Sequence, residues 1–123
     1  MHLRLANKND IDAICAFDHV VDLEDSRRTI LDNAVEEGHL YLADDNGEIL
    51  GYVILVYTFF TLGFVELLYV HPDHRREGIG AALMQYAESI CTTEKLFTST
   101  NLSNTRMQSL LMKLGYEESG VVH

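Results

Sequence analysis

The run Phe64-Val65-Glu66-Leu67-Leu68-Tyr69-Val70-His71-Pro72-Asp73-His74-Arg75-Arg76-Glu77-Gly78-Ile79-Gly80 decides how this chain is read. Its first part, Phe64 to Val70, is apolar apart from Glu66 and reads as a strand. Pro72 opens a loop, and beyond it Ile79, Leu83, Tyr86 and Ile90 recur at helical spacing. A glycine-rich turn between a strand and a helix is an anion site. The first N–H groups of a helix have no intrahelical partner, and the helix dipole adds partial positive charge there. Gly78 and Gly80 lack a Cβ, so the main chain can turn tightly and approach an anionic ligand closely. A phosphate fits such a turn.

Outward from this run the chain divides without linkers or repeats. Residues 2 to 6 read as a first strand, and a helix from about Asp10 to Asp18 carries Ile11, Ile14 and Cys15 on an apolar face. A second helix spans Asp25 to Glu37, with Asp25 or Ser26 to cap its start and Gly38 to end it. His39 to Ala43 and Glu48 to Tyr57 form a hairpin about Asp45-Asn46-Gly47, because Asn-Gly tolerates positive φ. Leu62 to Val70 is the next strand, followed by the loop and a helix to about Cys91. Leu96 to Thr100 is a strand, Ser103 or Asn104 caps a helix ending before Gly115, and Tyr116 to Val122 is a last strand. An antiparallel meander feeding a strand-loop-helix-strand unit defines a mixed α/β (α+β) fold, a mostly antiparallel sheet with helices on both faces.

Composition bounds the function. The chain has 123 residues, one domain's worth, and a formal charge of −10, which repels nucleic acid. An anionic ligand therefore needs a local positive site, and His71, His74, Arg75 and Arg76 supply one. The two cysteines, Cys15 and Cys91, have no CxxC spacing and read as reduced core thiols. The uncharged stretch Tyr52 to Val65 approaches the length of a membrane span, but its Val, Ile, Tyr, Phe and Thr content, broken at Thr61-Leu62-Gly63, reads as two buried strands joined by a turn. No membrane association is expected, and Met1-His2-Leu3-Arg4 lacks the apolar core of a signal peptide, so a cytoplasmic location is expected. A dinucleotide fingerprint would need a third glycine near Leu83, and a Walker A loop would need Gly-Lys-Ser/Thr. His71, Asp73 and His74 match no metal-ligand set, and no metal is expected.

Arg75-x-x-Gly78-x-Gly80 after Leu68-Tyr69-Val70-His71-Pro72 resembles the acyl-CoA pyrophosphate loop of the GNAT-type N-acetyltransferase superfamily. Asn104-Thr105-Arg106-Met107 followed by Leu111-Met112-Lys113-Leu114-Gly115-Tyr116 is similar to the family's second signature, and Leu3-Arg4-Leu5-Ala6 with Asp10 to Ile14 is similar to its first strand and helix. The resemblance covers nearly the whole chain and implies acetyl-CoA as cosubstrate. It implies that the N–H groups of Arg76, Glu77, Gly78, Ile79, Gly80 and Ala81 hold the pyrophosphate. It further implies that the pantetheine arm lies along Leu68, Tyr69 and Val70, where the sheet splays, and that Asn104 contacts the arm or caps its helix. Arg75 either binds phosphate or braces the loop.

Direct acyl transfer needs a neutral amine, and an amine with pKa about 10.4 is neutral in only about one molecule in a few thousand at pH 7, a deficit of about 4.6 kcal/mol. A general base is therefore expected. Glu66 is the only acid in the central strand pair, and strict alternation sets it on one face with Phe64, Leu68 and Val70. Its other reading is a surface carboxylate or an arginine partner. The family often uses a tyrosine as the acid that protonates the thiolate, and at that position stands Leu111, which also completes an apolar helical face. Tyr69 and Tyr116 are then the nearest candidate acids, unless the thiolate leaves unaided or catalysis is lost. Two functions stand. One is an N-acetyltransferase moving acetyl from acetyl-CoA to a primary amine by direct attack in a ternary complex. The other is a non-catalytic acyl-CoA-binding sensor or regulatory module.

Asp18, Asp22, Glu24, Asp25, Asp32, Glu36 and Glu37 crowd the segment that borders the acceptor cleft in the family. The expected acceptor is accordingly cationic, a small molecule such as a polyamine or an aminoglycoside-like amine, or a lysine or N-terminal amine. The family usually places two more strands after the Leu-Gly-Phe element, where Glu117 to His123 suffice for one. A truncated chain, or a homodimer pairing the exposed edge, would account for that.

Overall fold

The computed structural model describes residues 1–18, 25–59, 62–94, 96–98, 112, 113 and 115. Strand β1 (His2–Leu5) leads through a 3-10 turn (Lys8–Asp10) to helix α1 (Ile11–Phe17). Helix α2 (Asp25–Glu37) precedes β2 (Leu40–Asp45) and β3 (Glu48–Phe59), and β4 (Leu62–Val70) passes through a second 3-10 turn (Pro72–His74) to α3 (Ile79–Ile90) and β5 (Leu96–Thr98). The strands form one five-stranded sheet in the order β1-β2-β3-β4-β5. All neighbours are antiparallel except β4 and β5, which run parallel. This is the mixed α+β architecture expected, with α1 and α2 against one face and α3 against the other.

Local chemistry sets the punctuation. Asn7 caps the first turn in a reciprocal capping box with Asp10. Asp10 in turn receives both terminal nitrogens of Arg4 at 2.9 Å, and Arg4 Nε donates to Asp44 at 3.2 Å, so β1, β2 and the turn before α1 are tied at one point. Gly38, at φ 76°, ends α2 with paired bonds from its own N–H to Val35 O and from His39 N–H to Ala34 O, the geometry of a Schellman cap. Asn46 and Gly47 both take positive φ in the β2–β3 turn, as their order in the sequence predicts.

Two apolar layers flank the sheet. Ile11, Ile14, Phe17, Leu31 and Ala34 pack on Leu40, Leu42, Tyr52, Ile54 and Val56; on the other face Ile79, Leu83, Met84 and Ala87 pack on Ala43, Leu50, Val53, Leu55 and Val65. No described helix is long and apolar enough to cross a membrane. The uncharged Tyr52–Val65 stretch lies in β3 and β4, and the strands part before Gly63: Leu62 and Gly63 belong to β4. Gly63 serves packing. A Cβ there would stand 2.3 Å from Cys91 Sγ, so glycine is what lets the segment after α3 close onto β4.

The helix capped by Ser103 or Asn104, its Leu111, and the strand from Tyr116 to Val122 lie outside the described residues. Of that region Met112 and Lys113 are helical, and Gly115 follows at φ 86° with its N–H on Met112 O, as a helix-ending glycine should.

Candidate active site

The strand-to-helix loop has the geometry its glycines suggest, with one addition. His71 Nδ1 accepts from Asp73 N–H at 3.0 Å and caps the Pro72–His74 turn. Arg76 then adopts φ 69° and Gly78 φ 82°. A Cβ at Gly78 would meet nothing within 4 Å, so the demand for glycine there is the left-handed backbone itself. Arg76 takes the same region at a cost of about 1–3 kcal/mol. Ala82 N–H bonds Gly78 O, which leaves the N–H groups of Gly78, Ile79, Gly80 and Ala81 without intrahelical carbonyls. No acidic side chain occupies the first turn of α3. Open amides, a helix dipole and a tight turn together fit a pyrophosphate.

Arg75 turns away from this cradle. Its Nε points to Val70 O at 3.4 Å and its guanidinium lies 5.4 Å from the centre of the Tyr69 ring, so it braces the loop against β4.

Beside the cradle, the part of β4 beyond Val65 has no partner on its outer edge among the described residues. The described part of β5 pairs only with Gly63, Phe64 and Val65. His71 N–H bonds Leu50 O across β3, and antiparallel alternation from that bond directs Tyr69 and Leu67 toward β3 and the N–H and C=O of Leu68 and Val70 the other way. Among the described residues nothing pairs with that outer edge. An arm bearing amides can add to it as a strand would, so Leu68 and Val70, more than Tyr69, carry the main-chain groups for it.

Glu66 departs from the sequence expectation in position. Ile54 pairs with Leu67 and Leu55 with Val65, so Glu66 is the extra residue of a β-bulge. The bulge resets the alternation: Phe64, Leu67 and Tyr69 pack with the α1/α2 layer, and Leu68 and Val70 with the α3 layer. Strict alternation, which grouped Glu66 with Leu68 and Val70, therefore fails here. Glu66 is exposed and lines a groove of about 190 Å³ together with Asn33, Glu37 and His39. Tyr69 lies on the same side, its ring 5.5 Å from the Arg27 guanidinium and stacked at 6.0 Å on Tyr52. Asn104 and Tyr116, candidates from the sequence, lie outside the described residues.

A buried network that the sequence did not announce supports this side. Asp18, counted in the acidic crowd beside the acceptor cleft, is fully buried instead. It accepts from Tyr52 Oη at 2.5 Å and Arg27 Nε at 3.0 Å. Burial first, and the bond to Asp18 second, push the Tyr52 phenol well above its ordinary range, so this hydroxyl stays protonated and committed to Asp18. Asp32 shares Arg28, and Glu37 lies 3.6 Å from His39 Nε2. Asp22 and Glu24 lie outside the described residues. The only signal in the sequence for the network was the pair Arg27-Arg28, the two cations of an otherwise acidic helix.

A helix start with open amides, next to a stretch of β4 whose outer edge has no partner among the described residues, is an arrangement that a phosphate-bearing coenzyme can use. The model of the Acetyltransferase (GNAT) family matches residues 9–116, and the chain belongs to that family. A GNAT-family acetyltransferase from Bacillus cereus is 33% identical, with a TM-score of 0.90 over 99% of this chain and 86% of that one. The aminoglycoside 6'-N-acetyltransferase AAC(6')-IG from Acinetobacter haemolyticus is 20% identical, with a TM-score of 0.80 over 100% and 95% of the two chains. AAC(6')-Iy, solved with the bisubstrate analogue CoA-S-monomethyl-acetylneamine, is 18% identical, with a TM-score of 0.77 over 99% and 94%. At such identities the last two likenesses speak for the fold. No curated protein sequence matches the chain. Acetyl-CoA is the cosubstrate of GNAT acetyltransferases, and acetyl transfer from it is the activity of the family.

Proposed function

We propose that the chain is an N-acetyltransferase that acetylates a primary amine by direct attack in a ternary complex. The observation that carries this reading is the bulge at Glu66, which sets a carboxylate of β4 in the groove with Glu37 and His39, two residues before Leu68. Acetyl-CoA, when bound, supplies the acyl group. The N–H groups from Arg76 to Ala81 hold the diphosphate, and Leu68 and Val70 align the arm. Glu66 takes a proton from the incoming ammonium directly or through water, so that a neutral amine attacks the thioester. Tyr69 is the proton donor to the departing thiolate. Of the described tyrosines on this side, Tyr52 has its hydroxyl on Asp18, and Tyr69 remains.

The acceptor is cationic. Glu66 and Glu37 share a groove in which His39 is the described basic group, and a molecule of charge −10 attracts polycations at long range. Single-turnover acetyl transfer from acetyl-CoA to a panel of polyamines, aminoglycosides, lysine peptides and neutral amines tests both statements. Transfer to cationic amines that weakens with salt is the expected result. Coenzyme binding with no transfer to any acceptor would replace the enzyme with an acyl-CoA-binding module. Equal rates on neutral amines, indifferent to ionic strength, would remove the cationic acceptor.

A further inference from the structure

His74 meets a carboxylate at each ring nitrogen. Nδ1 lies 3.2 Å from Glu77 Oε1, and Nε2 is hydrogen-bonded to Glu48 Oε1. An ionised carboxylate only accepts, and a neutral imidazole donates from one nitrogen alone, so a ring that satisfies both partners carries both protons. The partners come from separate parts of the chain. Glu48 is the first residue of β3, while Glu77 sits between left-handed Arg76 and left-handed Gly78, inside the loop proposed to hold the diphosphate. A free carboxylate at that position would oppose a bound phosphate.

We propose that His74, as an imidazolium, is a positioning residue for the coenzyme loop: it draws the Glu77 carboxylate off the amide cradle and fastens the loop to the start of β3, so that loss of its proton weakens acetyl-CoA binding. The inference rests on the reading of residues 76 to 81 as the diphosphate site. The charged and titratable groups around the ring are Glu48 from β3 and, from its own loop, Glu77, Asp73, Arg75, Arg76 and His71, whose ring stands edge-on at 5.1 Å. The hydrogen bond to Glu77, then that to Glu48, raises the His74 pKa above its ordinary value in spite of partial desolvation. A raised imidazole contributes its full stabilisation below the unfolded pKa of about 6.5 and loses it as pH climbs through the higher folded value.

The test is the calorimetric affinity of acetyl-CoA from about pH 6 to about pH 9 for the wild type, His74→Gln, Glu48→Gln and Gly78→Val. Wild-type affinity is expected to fall as pH climbs through the titration of the ring, because the bound protein holds the imidazolium proton more tightly than the free protein. His74→Gln should start from the weaker value and add no ring titration, and Glu48→Gln should move the wild-type midpoint down. The coenzyme's own phosphate monoester titrates near pH 6 in every variant, so the wild type and His74→Gln are compared by difference. Parallel curves for those two proteins would overturn the proposal. So would nitrogen chemical shifts of the wild-type His74 ring showing a neutral tautomer at about pH 6.5, a reading that needs no variant. Gly78→Val separates the layers: lost binding at all pH values upholds the cradle whatever His74 does, and unchanged affinity overturns the cradle and this inference with it.

Discussion

The two faces of the sheet use the same strands and differ in what they bury. Against α3 the described contacts are apolar throughout, from Val53, Leu55 and Val65 to Leu83, Met84 and Ala87. Against α1 and α2 an equally apolar layer also encloses Asp18 with its Arg27 and Tyr52 partners, and it carries Tyr69 and the groove with Glu66. A buried ion pair seldom adds net stability over an apolar equivalent, while breaking one is costly. The α3 face thus holds the domain together, and the α1/α2 face spends part of its stability on fixed polar groups. The catalytic carboxylate is proposed on the second face, where the bulge interrupts the pairing of β3 with β4.

That contrast breaks most sharply at Asp18. Asp18→Asn should cost about 3–5 kcal/mol in denaturant unfolding, because Arg27 is left without its buried counter-charge. A loss under about 1 kcal/mol would mean that Arg27 escapes to solvent and that the α1/α2 face is not held by charge. Leu83→Ala probes the opposite face. Fully buried, it should cost about 3 kcal/mol in the same measurement and leave turnover per folded molecule unchanged. Reduced turnover in the folded fraction would show that the α3 face also shapes the site. Glu66→Gln inverts the pattern: turnover should fall about 100-fold, near 2.7 kcal/mol in the barrier, with the thermal midpoint and acetyl-CoA affinity little altered. The acidic limb of its pH–rate profile should vanish, and an unaltered limb would assign the base elsewhere.

The smallest expected effect lies at the sheet margin. The hydrogen bonds from Arg4, assisted by Asn7 N–H and opposed by burial, hold the Asp10 carboxyl below its ordinary value. A depressed carboxylate stabilises the fold above its unfolded pKa of about 3.9 and ceases to as pH falls through the folded value. Thermal midpoints taken from about pH 6 down to about pH 3 should therefore decline less steeply for Asp10→Asn than for wild type, a difference of no more than about 1 kcal/mol. Identical slopes would place the acid-sensitive groups on the polar face instead.

What the sequence disclosed was local. Gly38 after α2, Asn46-Gly47 between β2 and β3, and Gly78 before α3 act through their own backbone, and each is legible without tertiary structure. The bulge at Glu66 was not legible, because alternation counts residues and cannot see that two of them oppose one on β3. Asp18 read as one more surface acid, since its burial depends on Arg27 and on Tyr52 thirty-four positions away. Gly51 and Gly63 gave no sign of their purpose either: a Cβ on Gly51 would stand 2.8 Å from Tyr69 O, a contact that exists only once β4 has docked.

The parallel pairing of β4 with β5 also bears on assembly. Strands β2, β3 and β4 are joined by short turns and can zip together with small loop-closure entropy, whereas β5 reaches β4 only after the chain has run through the loop and all of α3. Its three described pairs, Gly63 with Leu96, Phe64 with Phe97 and Val65 with Thr98, therefore close a far longer loop than the β2–β3 and β3–β4 hairpins do, as the pairs of β1 with β2 also must. In native-state hydrogen exchange the amides of Leu96 to Thr98 should open at lower free energy than those of β3, so that the sheet parts beside the coenzyme edge while its centre stays folded.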